Sequence, residues 1–103
     1  MTAIQCEPLC NRLASCLAED DEAHDIAVRF WAPGTIEWED PVTGSSFAVA
    51  GPYWAKRLGK SVLVARQCSA RGGELECHVD EQSQRVKVTG RCALAVSGKL
   101  HLP

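Results

Sequence analysis

The sequence lacks three features that would assign it to a class at once: an excess of basic residues, a long apolar run and a closely spaced pair of cysteines. Its 103 residues include 11 lysines and arginines against 13 acidic residues, for a net charge of −2. Neutralising phosphates requires a basic face, so a nucleic-acid partner is not expected. No stretch approaches the ~18 apolar residues that span a bilayer, and the first residues do not resemble a signal peptide. We therefore expect a cytoplasmic protein that does not bind a membrane.

The cysteine content indicates free thiols. Six cysteines in 103 residues fall below the roughly 8–10% of a disulfide scaffold, and the cytosol disfavours disulfides. Three of them, together with one histidine, are potential metal ligands: Cys6, Cys10, Cys16 and His24. Their spacing is irregular for zinc and includes no C-x-x-C pair. The sequence therefore predicts neither a metal site nor a cofactor.

Length and charge distribution indicate one domain with two electrostatically different parts. A chain of 103 residues is shorter than the ~150 allotted to a typical domain. Residues 1–40 carry nine of the 13 acidic residues, whereas residues 41–103 carry nine of the 11 basic ones. The two parts either attract each other or leave the basic part facing an anion.

Hydrophobic periodicity predicts two different elements before residue 40. Apolar residues spaced as on one face of a helix predict a helix after Pro8: Leu9, Leu13, Cys16 and Leu17. From Asp25 onward, apolar and other residues alternate with the period of a strand, which we expect to end at residues 32–34. A polar connection follows and leads into the next element.

Residues 46–58 predict a helix that is apolar on every side before Lys56, which favours a position inside a shell of other elements. Gly59 is placed to end this helix, whereas Pro52 is expected to kink or split it. Five alternating segments with intervening turn residues then predict an antiparallel meander: 61–67, 74–79, 85–89, 92–96 and 99–102. We expect an α+β fold, a single domain with an antiparallel barrel-like sheet rolled around a central helix.

The connection from Asp40 to Ser45 is the strongest candidate site. It places a carboxylate and three potential donors, Thr43, Gly44 and Ser45, at the start of the predicted helix. A helix N-terminus presents unpaired N–H groups and binds carboxylate or phosphate groups. The alternative is that Thr43 or Ser45 is simply the N-cap, worth about 1 kcal/mol.

Other polar and thiol-bearing segments have structural explanations. Residues 71–73, Arg-Gly-Gly, form either a second anion contact or a tight turn, of which we favour the turn. Three cysteines, Cys68, Cys77 and Cys92, are predicted to be core or edge thiols of strands. Alternation places His78 and His101 on the solvated faces of their strands.

Four blocks of sequence, taken in order, closely resemble the C-terminal half of the PhzF-like isomerases of phenazine biosynthesis. They are Arg29-Phe30-Trp31-Ala32-Pro33, Glu39-Asp40-Pro41-Val42-Thr43-Gly44-Ser45, Tyr53-Trp54-Ala55-Lys56-Arg57-Leu58-Gly59-Lys60 and Gln67-Cys68-Ser69-Ala70-Arg71-Gly72-Gly73-Glu74-Leu75. The resemblance covers residues 25–103 and does not include residues 1–24. We therefore expect an N-terminal segment, 1–24, followed by a PhzF-like domain, 25–103.

The resemblance implies a fold related to diaminopimelate epimerase, with two similar domains and an active site in the cleft between them. By motif, Asp40 matches an active-site aspartate, and Gly44 and Ser45 match groups that hold the substrate carboxylate. The family also carries, in its N-terminal half, a proton-shuttling glutamate and a Gly-His pair, neither of which has a counterpart in this sequence. After the loop, Ser46-Phe47 stands where relatives commonly have Ala-His.

We therefore expect a PhzF-like domain that binds a small carboxylate-bearing molecule but is inactive alone, because a proton shift needs a positioned acid/base. The alternative is a non-catalytic domain that binds a ligand or self-associates, as a homodimer or with a chain that supplies the other half. A third possibility is a truncated product of a longer isomerase.

Overall fold

The computed structural model describes residues 12–32 and 38–103. One helix and five strands make up the regular structure of these residues. In chain order they are β1 (Arg12–Leu17), β2 (Ile26–Trp31), α1 (Phe47–Leu58), β3 (Val62–Gln67), β4 (Gly73–Asp80) and β5 (Arg85–Gly90). The fold is α+β, in one small domain, as the sequence predicts.

The strands form a single sheet in the order β1-β2-β3-β4-β5. β3, β4 and β5 are the expected antiparallel meander, and β1 pairs antiparallel with β2. The pairing of β2 with β3 is parallel, because α1 carries the chain back across the sheet between them, and this corrects the expectation of an all-antiparallel sheet. β1 and β5 are edges in the described part of the chain, so the sheet is not closed and the barrel-like shape is not confirmed.

Alternation along the strands separates the two faces of the sheet. The face toward α1 is apolar and supplies most of the buried core: Ile26, Val28, Leu63, Ala65, Leu75 and Cys77. Phe47 and Ala55 of α1 complete this cluster. The opposite face carries charged side chains, including Arg66 and Glu74, which are directly paired across β3 and β4. The period of two in the sequence therefore becomes one buried and one solvated face.

The helix α1 runs without a break through Pro52 and ends at Gly59, whose φ of 64° is in the left-handed region. Pro52 and Ala48 are both exposed, so water can reach the Ala48 carbonyl that loses its helical partner. The sheet covers only one side of the helix, since Val49 is 69% exposed and Tyr53 is 49% exposed. The expected enclosing shell is therefore absent around α1 in the described residues.

Two sequence predictions about the ends of the chain are wrong where the structure describes them. Residues 12–17 form strand β1 and not a helix; the earlier part of the predicted helix lies outside the described residues. Residues 92–96 and 99–102 are not strands: the chain after Gly90 has no regular structure and is exposed throughout. An alternating segment becomes a strand only where a neighbouring strand pairs with it, and in the described structure no strand pairs with residues 92–96 or 99–102.

Candidate functional site

The loop from Asp40 to Ser46 connects β2 to α1 and is held in place by one buried side chain, Gln67, at the end of β3. Gln67 is 1% exposed. Its Oε1 accepts from the Thr43 amide at 2.8 Å, and its Nε2 donates to the Asp40 carbonyl at 2.9 Å and to Thr43 Oγ1 at 3.1 Å. Three hydrogen bonds from one side chain fix the backbone on both sides of Pro41.

A second fastening comes from the turn between β3 and β4. Ser69 Oγ donates to the Pro41 carbonyl at 2.8 Å. The Val42 side chain packs directly over the backbone of Gly73, where a Cβ atom would collide with it. Gly72 adopts a φ of 76°, and its amide donates to the Ser69 carbonyl. The turn therefore accounts for Gly72, and the close packing of Val42 accounts for Gly73.

The loop ends at an N-terminus of α1 that no side chain caps. Ser46 is the N-cap residue, and it makes no side-chain cap hydrogen bond, so the simple capping role considered for Thr43 or Ser45 is not what the structure shows. Thr43 is instead buried and bonded to Gln67. Gly44 and Ser45 are exposed. In the described structure, the amides of Gly44, Ser45 and Ser46 and the Ser45 hydroxyl have no hydrogen-bond partner, so they are available to an anion.

Asp40 lies at the start of the same loop and is half-buried. Its amide donates to the Phe30 carbonyl at 2.9 Å, and its Oδ1 accepts from the Val42 amide at 3.2 Å. Oδ2 has no partner among the described residues. One carboxylate oxygen is thus used to shape the turn, while the other remains free to contact a ligand.

An ion pair beside Asp40 neutralises a neighbouring charge. Arg29 binds Glu39 with two hydrogen bonds, from Nε to Oε1 at 2.7 Å and from Nη2 to Oε2 at 2.8 Å. This arginine lowers the pKa of Glu39. The guanidinium also stacks over Trp31, 4.9 Å from the ring centre. Of the two adjacent carboxylates Glu39 and Asp40, Asp40 is the one without an ion pair among the described residues.

A shallow depression of about 310 Å³ adjoins the loop and is lined by Glu39, Pro41, Ser69, Ala70 and Arg71. Arg71 is exposed and gives one edge of the depression a positive charge.

Of the four potential metal ligands, only Cys16 and His24 belong to the described residues, and they form no ligand cluster there. Cys6 and Cys10 lie outside the described residues, and Cys16 is a free, exposed thiol. His24 instead bridges two carboxylates, with Nδ1 2.6 Å from Asp21 and Nε2 2.7 Å from Glu74. Burial by itself lowers the pKa of His24, but the hydrogen bonds to the two carboxylates outweigh burial and raise it. This cluster joins the β1–β2 connection to the outer face of β4.

The remaining thiols and histidines occupy different environments. Cys77 is fully buried, and burial raises its pKa. Cys68 is half-buried beside β3, whereas Cys92 is exposed in the chain after β5 and is not in a strand. His78 lies on the outer face of β4 beside Glu76, in agreement with the alternation. None of the helices in the described part of the chain is long and apolar enough to cross a membrane.

The sequence pattern indicates the loop as a candidate site but does not indicate the groups that position it. Gln67 lies in the fourth block of the resemblance, where no role is predicted for it. The signal was present in the sequence: Leu63, Ala65 and Gln67 share one face of β3, so a polar residue occupies an inward position. Such a residue is retained only when its hydrogen bonds are satisfied.

Comparison with known proteins gives the same family over most of the chain. The model of the PhzC-PhzF family, described as phenazine biosynthesis-like protein, matches residues 3–98. This match includes most of the segment 1–24, to which the quoted blocks did not extend. An uncharacterized isomerase of Pseudomonas aeruginosa is 49% identical over 78 residues, which are 76% of this chain and 29% of that protein. A human phenazine biosynthesis-like domain-containing protein is 43% identical over 79 residues, 77% of this chain and 27% of the relative.

Solved structures agree with these matches. A phenazine biosynthesis PhzC/PhzF protein from Clostridium difficile has a TM-score of 0.70 at 34% identity, covering 87% of this chain and 33% of that chain. A PhzF-family protein from Enterococcus faecalis has a TM-score of 0.60 at 38% identity. This chain spans less than a third of the length of the curated relatives described above. With the family model matching residues 3–98, the chain belongs to the phenazine biosynthesis-like (PhzC-PhzF) family.

Proposed function

We propose that this domain supplies the carboxylate-binding wall of a PhzF-like proton-shift isomerase site. The observation that carries the proposal is the uncapped N-terminus of α1, where the amides of Gly44, Ser45 and Ser46 are unpartnered within the described structure. The partial positive charge of a helix N-terminus favours a bound anion. The loop is held by Gln67 and Ser69, so little conformational entropy is lost when a ligand binds.

The roles of the loop residues follow from what each can offer. The amides of Gly44 and Ser45 and the hydroxyl of Ser45 bind a carboxylate of a small molecule, and Thr43 keeps the loop in shape through Gln67. Asp40 faces the reacting part of the ligand with its free Oδ2 and acts as the catalytic group of this wall. Arg71 adds a positive charge at the edge of the adjoining depression.

This wall does not by itself complete a proton shift. Moving a proton between carbon atoms requires an acid/base group with a suitable pKa opposite the binding loop. The glutamate and the Gly-His pair that serve the family have no counterpart in this sequence. We therefore propose that these 103 residues are inactive alone and that catalysis requires an acid/base group from outside them. Free thiols at Cys16 and Cys92 support a cytoplasmic location.

Binding is tested by titrating the isotopically labelled chain with benzoate and with benzamide, a ligand of similar shape without the charge. We expect benzoate to shift the amide resonances of Gly44, Ser45 and Ser46, and benzamide to shift them much less. Ser45→Ala should weaken benzoate binding, whereas Ser97→Ala, in the exposed chain after β5, should not. Equal shifts from benzoate and benzamide would refute an anion site.

Inactivity is tested separately with a dihydrohydroxyanthranilate-like substrate. We expect no turnover by the purified chain or by Asp40→Asn, with substrate affinity retained in both. Turnover by the unaltered chain that is lost in Asp40→Asn would overturn the proposed dependence on an outside acid/base group while supporting the role of Asp40.

The alternative function is a non-catalytic domain that binds a ligand or self-associates. The exposed apolar surface of the chain favours self-association over ligand binding.

A further inference from the structure

The side of α1 next to β5 is an open groove. Its floor is apolar and is formed by Ala48 and Pro52 of the helix and by Val79 and Val86 of the strands. The volume is about 500 Å³. Its rim carries two acidic residues and one basic residue, Asp80, Glu81 and Arg85, and Glu81 has no hydrogen-bond or ionic partner among the described residues. The groove therefore combines an apolar floor with a rim of net negative charge.

The chain after β5 has the complementary composition. Residues 91–103, here called the tail, are exposed throughout and have no regular structure. Leu94, Val96, Leu100 and Leu102 are between 79% and 86% exposed. Arg91 and Lys99 are the charged residues of the tail, which contains no acidic residue. The large apolar side chains of the tail match the apolar floor of the groove. Its positive charge matches the net negative charge of the rim.

The free edge of β5 provides the backbone partner for such a segment. β5 pairs with β4 on one side and has no partner on the other in the described structure. A strand added at a free edge satisfies these unpaired groups. Because side chains alternate between faces, the added strand would direct every second residue toward the helix, as Val86 and Val88 of β5 already do.

The register of the tail matches this position. Residues 92–96 would extend over about 17 Å as a strand, which is comparable to the six residues of β5. With Leu94 and Val96 directed toward α1, Ala93 and Ala95 would face away from it. The apolar residues would then cover Ala48 and Pro52, the part of the helix that the sheet leaves open.

We propose that the tail of one copy pairs with β5 of a second copy and covers its groove between α1 and β5, so that two chains exchange tails. In the described structure the tail leaves β5 at Gly90 and leaves its own groove empty. Each copy carries both the tail and the groove, so reciprocal exchange gives a closed two-fold dimer. The lining of the groove includes no residue of the loop from Asp40 to Ser46.

The first test is the mass of the 103-residue chain in solution, measured by sedimentation at micromolar concentrations. We expect a dimer for the unaltered chain. Replacing Leu94 and Val96 together by lysine should raise the dimer dissociation constant by roughly 100-fold or more, because two buried apolar side chains are lost. Replacing Ala93 and Ala95 by lysine adds the same charge on the opposite side of the tail and should leave the dimer nearly unchanged. Circular dichroism checks that all variants fold.

The second test separates exchange from folding back within one chain. A chain ending after Gly90 and the 103-residue chain with Ala48→Glu should each be monomeric, because one lacks the tail and the other has a blocked groove. Mixing them should restore a heterodimer through one intact tail and one intact groove. A monomer whose tail resists proteolysis would show that the tail covers its own groove and would overturn the proposal. A dimer that survives removal of the tail would also overturn it.

Discussion

Replacing Gln67 by leucine tests whether the binding loop is held by this one side chain. The substitution keeps a buried side chain of similar size but removes its donor and acceptor groups. The Thr43 amide and the Asp40 carbonyl then lose partners at 2.8 and 2.9 Å, and Thr43 Oγ1 loses a donor at 3.1 Å. The backbone of the loop is then released at both Asp40 and Thr43.

The magnitude depends on which of these groups water can reach. Thr43 is only 5% exposed, so its amide is left unsatisfied at a cost of about 1–3 kcal/mol. Asp40 is half-buried, so water replaces part of the bond to its carbonyl, and we assign that loss about 1 kcal/mol. Gln67→Leu should therefore lower the free energy of unfolding by about 2–4 kcal/mol.

Urea unfolding followed by tryptophan fluorescence measures this change at one fixed protein concentration, because association adds to the apparent stability. Gln82→Leu, in the exposed turn between β4 and β5, is the matched control and should change stability by less than about 0.5 kcal/mol. Benzoate binding should weaken in Gln67→Leu even where the chain remains folded. If Gln67→Leu were as stable as the control and bound benzoate equally well, the proposed positioning of the loop would be refuted.

Two further predictions concern packing under the loop and the histidine cluster. Gly73→Ala should lower the free energy of unfolding by about 1–3 kcal/mol, because its Cβ would collide with Val42; Gly98→Ala, with open space around it, is the control in the same denaturation assay. The pKa of His24 is raised in the folded chain, so protonated His24 stabilises the fold. This stabilisation should be complete at pH values below about 6.5, the ordinary pKa of an unfolded histidine, and should be lost as the pH rises through the raised pKa. His24→Gln should remove this pH dependence from the free energy of unfolding, whereas the control His101→Gln should leave it in place. An unchanged pH dependence in His24→Gln would contradict the role of His24.

The sequence predicted the elements whose periodicity had one interpretation. In β2, Ile26 and Val28 alternate with half-buried and exposed neighbours, a pattern that a helix does not produce. In residues 12–17 the pattern had two interpretations, because Leu13 and Leu17 are separated by four residues. That spacing places two side chains on one face of a helix and also on one face of a strand. Pairing with β2 decides between them, and the Ser15 hydroxyl then accepts a hydrogen bond from the Trp54 indole at 2.9 Å.

In the tail, the prediction of strands is wrong. Its residues alternate as in a strand, yet no strand forms there, because β-structure depends on pairing with a neighbouring strand and not on local preference alone. A helix satisfies its own backbone, whereas a strand does not. The same reasoning explains why α1 was predicted well and its surroundings were not. The apolar residues of α1 before Lys56 predict that other elements cover the helix. They do not identify those elements.

The contacts of the loop imply that the proposed carboxylate site is formed by this domain alone. Gln67, Ser69 and Gly73, which hold the loop, all belong to β3, β4 or the turn between them. They lie within the same small domain as the loop, so the geometry of the loop is set by contacts inside this domain. In the proposed function, the group that moves the proton comes from outside these 103 residues. A carboxylate should therefore bind to this domain with the loop already formed, and adding the catalytic group should give turnover without rebuilding the carboxylate site.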